Sequence, residues 1–127
     1  MKEVMAIIRL NMINKTKNAL AEAGIVSMHV KDVTGRGNGY LVALEASGND
    51  ADKHWREQIG EYSSVGRLVP KRKISMILPD NLVHKAVQTV ISVNQTGKSG
   101  DGKIFVLPVS ETIRVRDGLT GNEVLDF

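Results

Sequence analysis

The sequence predicts an α+β fold in which a strand–helix–strand unit occurs twice. Three observations carry that reading. Four short apolar runs bounded by polar residues have the length of strands, and two stretches between them repeat apolar residues at helical spacing. The chain is 127 residues long, about one domain. Its hydrophobic share of 42% and charged share of 24% are ordinary for a globular protein, which excludes a disordered chain, a collagen and a coiled-coil rod.

Val4, Ala6, Ile8 and Leu10 share one face of an extended segment, and Met5 and Ile7 line the other. Ile13, Thr16, Leu20 and Ala23 then recur at helical spacing, and Gly24 supplies the residue without Cβ that a left-handed helix C-cap favours. Ile25 to Val33 reads as a second strand, with Val26, Met28 and Val30 on one side. Ile74-Ser75-Met76-Ile77-Leu78 is the third, and Pro79-Asp80 opens a second helix whose stripe is Val83, Ala86, Val87 and Val90. Ile104 to Val109 is the fourth strand, and the alternation of Ile113 and Val115 with Arg114 and Arg116 predicts a fifth. The order βαβ–loop–βαβ is the ferredoxin-like arrangement, a four-stranded antiparallel sheet with both helices on one face. Met5, Ile7, Ile77, Phe105 and Leu107 fall on the other face, and another copy of the chain is the simplest cover for it.

There is no cysteine, so disulfides, thiolate metal sites and thiol nucleophiles are excluded together. Seventeen basic against fourteen acidic residues leave a net charge of +3, interspersed in sign, which does not argue for nucleic acid. No run approaches the ~18 apolar residues of a membrane span. Met1-Lys2-Glu3-Val4 begins no secretory leader, so a cytoplasmic protein is expected.

The stretch between Gly35 and Pro70 is too long for an ordinary connection. It holds Tyr40, Trp55 and Tyr62, three of the five aromatic residues, among Ser, Gly, Asp, Asn and Glu. Trp55, Ile59 and Tyr62 stand at i, i+4 and i+7, one face of a short helix. Scarce aromatics on a polar loop predict a partner-binding element.

The segment richest in chemistry is Thr96-Gly97-Lys98-Ser99-Gly100-Asp101-Gly102-Lys103. Its glycines let successive backbone N–H groups converge on an anion, and Lys103 adds a positive charge. Gly97 to Lys103 fits GxxxxGK, but Ile104 follows where a Mg²⁺-binding hydroxyl would stand, and a strand follows instead of a helix. A phosphate cradle is predicted, not a Walker motif. Asp101 in it reads as a turn-former. Arg114 and Arg116, at i and i+2 of an extended segment, put two guanidinium forks on one side, a pair suited to polyphosphate. Lys71-Arg72-Lys73 opens the third strand, and alternation puts Lys71 and Lys73 together and Arg72 opposite. Gly35-Arg36-Gly37-Asn38-Gly39 is a second glycine cluster that begins no helix. His29, His54 and His84 have no metal-site spacing. ATP hydrolysis is disfavoured because no metal donor or positioned nucleophile stands out, and RNA stacking because Phe105 is alone among the sheet's aromatics.

Thr96-Gly97-x-x-Gly100-Asp101-Gly102-Lys103-Ile104-Phe105, then Val106-x-Pro108-Val109 and Arg114-Val115-Arg116, resembles the PII nitrogen-regulatory signal-transduction family. Pro70-Lys71, Met1-Lys2 to Ile7-Ile8-Arg9, Ala19-Leu20-x-x-Ala23-Gly24 and Gly35-x-Gly37 agree with it. The likeness covers the chain apart from Asn38 to Leu68. It implies one PII-like domain over 1–127, with an effector-reading T-loop at about 36–70, a nucleotide-binding B-loop at about 95–104 and a C-terminal segment at about 110–127. It further implies a trimer that binds ATP or ADP in clefts between subunits. Gly35, Arg36, Gly37, Thr96, Gly97, Gly100, Asp101, Gly102 and Lys103 would serve the phosphates, with Arg114 and Arg116 from a neighbour. Ile7, Met28, His29, Ser75 and Ile77 would surround the base, and Lys71 would pair with 2-oxoglutarate.

Two departures stand out. Asn38-Gly39 occupies the place where the family commonly has a glutamine that helps hold Mg²⁺ and 2-oxoglutarate, and Ser75 stands where a carboxylate usually faces the base. The enlarged loop resembles the nitrogenase-regulating branch from methanogenic archaea and some anaerobes, in which two paralogues act together. The implied protein is a non-enzymatic regulator of a target, foremost nitrogenase, with an ammonium transporter or glutamine synthetase as alternative targets and a P-loop-like ATPase as the remaining reading.

Overall fold

A computed structural model describes residues 1–37 and 68–127. Strand β1 spans Lys2–Arg9, and a short 3₁₀ turn at Leu10–Met12 leads into helix α1, Ile13–Glu22. Strand β2 spans His29–Gly35, β3 Val69–Leu78, helix α2 Asp80–Asn94 and β4 Lys103–Pro108, before a 3₁₀ turn at Asn122–Val124. The sheet order is β2-β3-β1-β4. Four strands and two helices in this order make the ferredoxin-like α+β fold. The described chain forms two compact units, Met1–Asp32 with Arg72–Phe127, and Val33–Lys71.

Alternation along the central strands sets the core. Val4, Ala6 and Ile8 of β1 and Ile74, Met76 and Leu78 of β3 are all at most 1% exposed. They meet Leu20 from α1, Ile25, and Ala86 and Val90 from α2. Each large aliphatic side chain so buried contributes about 1.5–3 kcal/mol. Thr16 and Asn94 are buried polar residues of the described chain, and they pair: Asn94 Nδ2 donates to Thr16 Oγ1 at 3.1 Å and to the Val90 carbonyl at 2.9 Å, and the Thr16 hydroxyl donates to the Met12 carbonyl at 2.7 Å. Helix α1 stops where its sequence changes. Gly24, at φ +84°, lets its own N–H reach the Ala21 carbonyl and that of Ile25 reach the Leu20 carbonyl, the pairing of a Schellman cap.

The face away from the helices carries the expected apolar set. β1 and β4 pair antiparallel with Met5 opposite Phe105, Glu3 opposite Leu107 and Ile7 opposite Lys103. Directly opposed residues share a face, so Phe105 and Leu107 lie beside Met5 and Ile7. Phe105 stays 46% exposed and Leu107 38%.

Four expectations need correction. The first strand ends at Arg9, and Leu10 belongs to the 3₁₀ turn and is exposed. The second begins at His29, not Ile25: Ile25 turns into the core while Val26 is 66% exposed and donates its N–H to the Phe127 carbonyl. The third begins at Val69, two residues before the Lys71-Arg72-Lys73 run expected to open it. The fifth strand does not form. Ile113 makes one isolated bridge, to Thr120, and Val115-Arg116-Asp117 is a turn. An Asp-Gly turn dipeptide at 117–118 outweighs the alternation before it.

Candidate functional site

The loop joining α2 to β4 is organised around one carboxylate. Asp101 accepts the N–H of Thr96 at 2.7 Å and of Gly97 at 2.9 Å through Oδ2, and the Thr96 hydroxyl at 2.5 Å through Oδ1. Arg9, at the end of β1, donates Nη1 to Asp101 Oδ1 at 2.8 Å and Nη2 to the Ser99 carbonyl at 3.1 Å. The Thr96 hydroxyl, the Thr96 and Gly97 amides and the Arg9 guanidinium together hold the Asp101 carboxyl far below the usual carboxylate range. It is an anion at any physiological pH. The glycine spacing predicts a phosphate here, but the amides of Thr96 and Gly97 are directed at the chain's own carboxylate, the turn-forming role expected of Asp101.

The other limb of the loop is fixed by contact with β1. Gly102 has φ +111°, and a Cβ there would stand 2.0 Å from the Ile7 carbonyl oxygen. Only glycine fits, and the fit brings Lys103 into register opposite Ile7. Lys103 is exposed, so its ammonium is available to an anionic ligand. A groove of about 480 Å³ runs beside it, with Val87, Val90 and Ile91 from α2, Ile8, and Ile104 in its walls.

Arg114 and Arg116 do not form the expected parallel pair. Arg114 folds onto Asp117, donating Nη2 to Oδ2 at 2.6 Å and Nε to both carboxylate oxygens at 3.1 Å. This contact lowers the Asp117 pKa, with help from the Leu119 N–H, and raises that of Arg114. Arg116 is exposed in the turn.

On the open sheet face Ser75 donates its hydroxyl to Glu3 at 2.5 Å. Where the resemblance expects a carboxylate from β3, a serine of β3 is hydrogen-bonded to a carboxylate of β1. Ile7 and Ile77 are half-buried on that same face. Met28 packs partly against the core and His29 is exposed at the start of β2. Arg72 pairs with Asp32 of β2, on the side away from Lys71 and Lys73. Gly35, Arg36, Gly37 and Lys71 belong to the unit Val33–Lys71. Tyr40, Trp55, Ile59 and Tyr62 lie outside the described residues, as does the body of the predicted T-loop. Among the described residues no cluster of three His, Cys, Asp or Glu is placed to hold a metal ion, and no helix is long and apolar enough to cross a membrane.

Sequence reasoning did not single out Glu3, Asp117 or the ionic role of Arg9. For Asp117 a signal existed, the Asp-Gly pair that starts a turn. For Arg9 the only hint was a cation closing an otherwise apolar strand.

An exposed lysine ends the glycine loop, and two arginines lie on the segment after β4. Comparison with known proteins agrees with the sequence resemblance. The family model described as "Nitrogen regulatory protein P-II" matches residues 1–119. A "Nitrogen fixation nifHD region GlnB-like protein 2" of Methanobacterium ivanovii is 40% identical over 98% of this chain and 99% of its own. The protein of that name from Methanothermococcus thermolithotrophicus is 43% identical over 95% of both chains. Among solved structures, an Arabidopsis thaliana PII bound to citrate superposes with a TM-score of 0.71 at 30% identity, over 99% of this chain and 90% of that one. With fold, glycine loop and relatives in agreement along its length, the chain belongs to the P-II nitrogen regulatory protein family, and its similarity is to members from nitrogen-fixation gene regions.

Proposed function

We propose that this protein is a nitrogen-regulatory signal protein that binds adenine nucleotide, ATP or ADP, together with 2-oxoglutarate, in clefts between the subunits of a trimer. Ligand occupancy then sets whether the long loop engages a target enzyme, nitrogenase in the first instance. The single observation that carries the nucleotide reading is the loop at Thr96–Lys103, held rigid by Asp101 and pinned to β1 so that exposed Lys103 stands at its end. A preorganised cationic loop binds polyphosphate without first paying to order itself. The apolar face of Met5, Ile7, Ile77, Phe105 and Leu107 supports self-association, since exposed Phe105 and Leu107 gain by leaving water. Nitrogenase as the target is supported by the nitrogen-fixation-region names of the relatives.

The residues that would hold the phosphates are Lys103 and the Gly100–Gly102 limb of the loop, with Arg114 and Arg116 from a neighbouring subunit. Nucleotide contributes its charge and its base. The chain contributes position: Arg9 and Asp101 keep the loop in shape, and Ile7 beside Lys103 offers an apolar wall. An effector moves the loop only through its different affinity for two loop states. Isothermal titration tests this. ATP should bind wild type and bind Lys103→Ala far more weakly, and 2-oxoglutarate should bind more tightly with ATP present. Equal 2-oxoglutarate affinity with and without ATP would overturn the coupling, and a monomer by light scattering would overturn the assembly.

A further inference from the structure

The geometry points to Asp117 as an internal competitor for the ligand's phosphate: by holding Arg114 in a forked ion pair, it sets how tightly this chain takes its anionic ligand. The inference rests on the reading of Arg114 as a phosphate contact and adds a residue and a control to it. A guanidinium presents a fixed fork of N–H donors, and that fork matches a carboxylate or a phosphate equally well. In this structure Nε and Nη2 of Arg114 are both directed at Asp117, at 2.6–3.1 Å. A phosphate that takes the same edge must displace the carboxylate.

The turn makes the competitor hard to lose. The Gly118 N–H donates to the Arg114 carbonyl at 2.7 Å, closing the loop between the two charged residues. Asp117 Oδ1 also accepts the Leu119 N–H at 3.1 Å. The Arg114 N–H in turn donates to the Leu119 carbonyl at 2.8 Å. These backbone contacts hold Asp117 beside Arg114 independently of the ion pair itself. Both side chains are about one-third exposed, so a ligand can reach them and solvent screens their attraction. A contact of this strength can be exchanged for a phosphate instead of sealing the arginine off. Arg116, exposed in the same turn, makes the first encounter and Arg114 the exchange.

The test is a double-mutant cycle read by titration with ATP. Asp117→Asn keeps an oxygen for the Leu119 N–H and removes the charge. It should tighten ATP binding by about two- to fivefold, the range of an exposed ion pair. In an Arg114→Gln background the same change should have no effect, because there is no guanidinium left to release. Asp126 also bears electrostatically on Arg114 without a hydrogen bond to it, so Asp126→Asn should change affinity less than Asp117→Asn does. Unchanged or weaker binding by Asp117→Asn would overturn the proposal, as would equal tightening in the Arg114→Gln background. Thermal melts that match wild type establish that each variant is folded. Should wild type and all variants bind no adenine nucleotide, the functional reading fails by itself. Inorganic tripolyphosphate then decides the inference: tighter binding by Asp117→Asn that vanishes with Arg114→Gln supports it, and no gain refutes it.

Discussion

Arg9 and Asp101 lie 92 positions apart in sequence and are joined by a 2.8 Å ion pair, tying the last residue of β1 to the middle of the glycine loop. The same guanidinium also takes the Ser99 carbonyl. One strand end therefore holds both the charge and the backbone of the loop. The loop's shape is thus a property of the sheet, not of its glycines alone.

Arg9→Ala should loosen the loop without unfolding the domain, because neither partner belongs to the apolar core. We expect nucleotide affinity to fall several-fold while the melting temperature changes little. An Arg9→Lys variant should recover part of the loss, since a lysine reaches the carboxylate but cannot bridge to Ser99 as a fork does.

The low pKa of Asp101 has a definite sign. A carboxyl lowered by folding contributes stability above its unfolded pKa, about 3.9, and loses it as pH falls through the folded value. The loop should therefore keep its Thr96 and Gly97 amides protected from exchange at pH 4, where an unperturbed aspartate is about half protonated. Asp101→Asn should remove that protection at every pH. Fast exchange of both amides in wild type at pH 6 would refute the arrangement.

Gly102→Ala combines a forbidden φ with a steric overlap at the Ile7 carbonyl. It should cost about 2–4 kcal/mol, read by denaturant unfolding, as strained backbone and a displaced β1–β4 end combine. Gly118→Ala, also at positive φ but with open space around it, should cost about 1 kcal/mol. Equal costs would mean that the contact with β1 is unimportant.

Thr16→Val takes from Asn94 its partner on α1 and should destabilise the domain by about 1–2 kcal/mol. Asn94 Oδ1 is already buried without a partner. Replacing both residues, Thr16→Val with Asn94→Leu, should therefore cost less than the two single changes added together. Strict additivity would show that the pair does not act as one.

Trp55→Ala with Ile59→Ala is the sequence-derived test of the long loop. Capture of the target should be lost while ATP affinity stays near wild type. Loss of both would assign the two residues to the fold.

What the sequence determined was local and periodic. Alternation in Val4-Ala6-Ile8 and Ile74-Met76-Leu78 specified the buried face, because a side-chain period of two leaves one choice once an apolar set exists. The stripe of Val83, Ala86, Val87 and Val90 specified α2, and Gly24 specified the end of α1. The glycine loop was legible because its turns need positive φ at Gly97, Gly100 and Gly102, which few other residues tolerate. The tertiary structure decided which charges meet. Nothing in the spacing of Arg9, Asp101 and Ser99, or of Glu3 and Ser75, encodes their contacts, since those arise only when β1 pairs between β3 and β4. Short range brought its own limit: alternation favoured a fifth strand at Ile113 to Arg116, but the Asp117-Gly118 turn and the Arg114 ion pair prevailed. A polar contact depends on distance and desolvation, which chain order does not carry, whereas apolar burial depends on a pattern that it does.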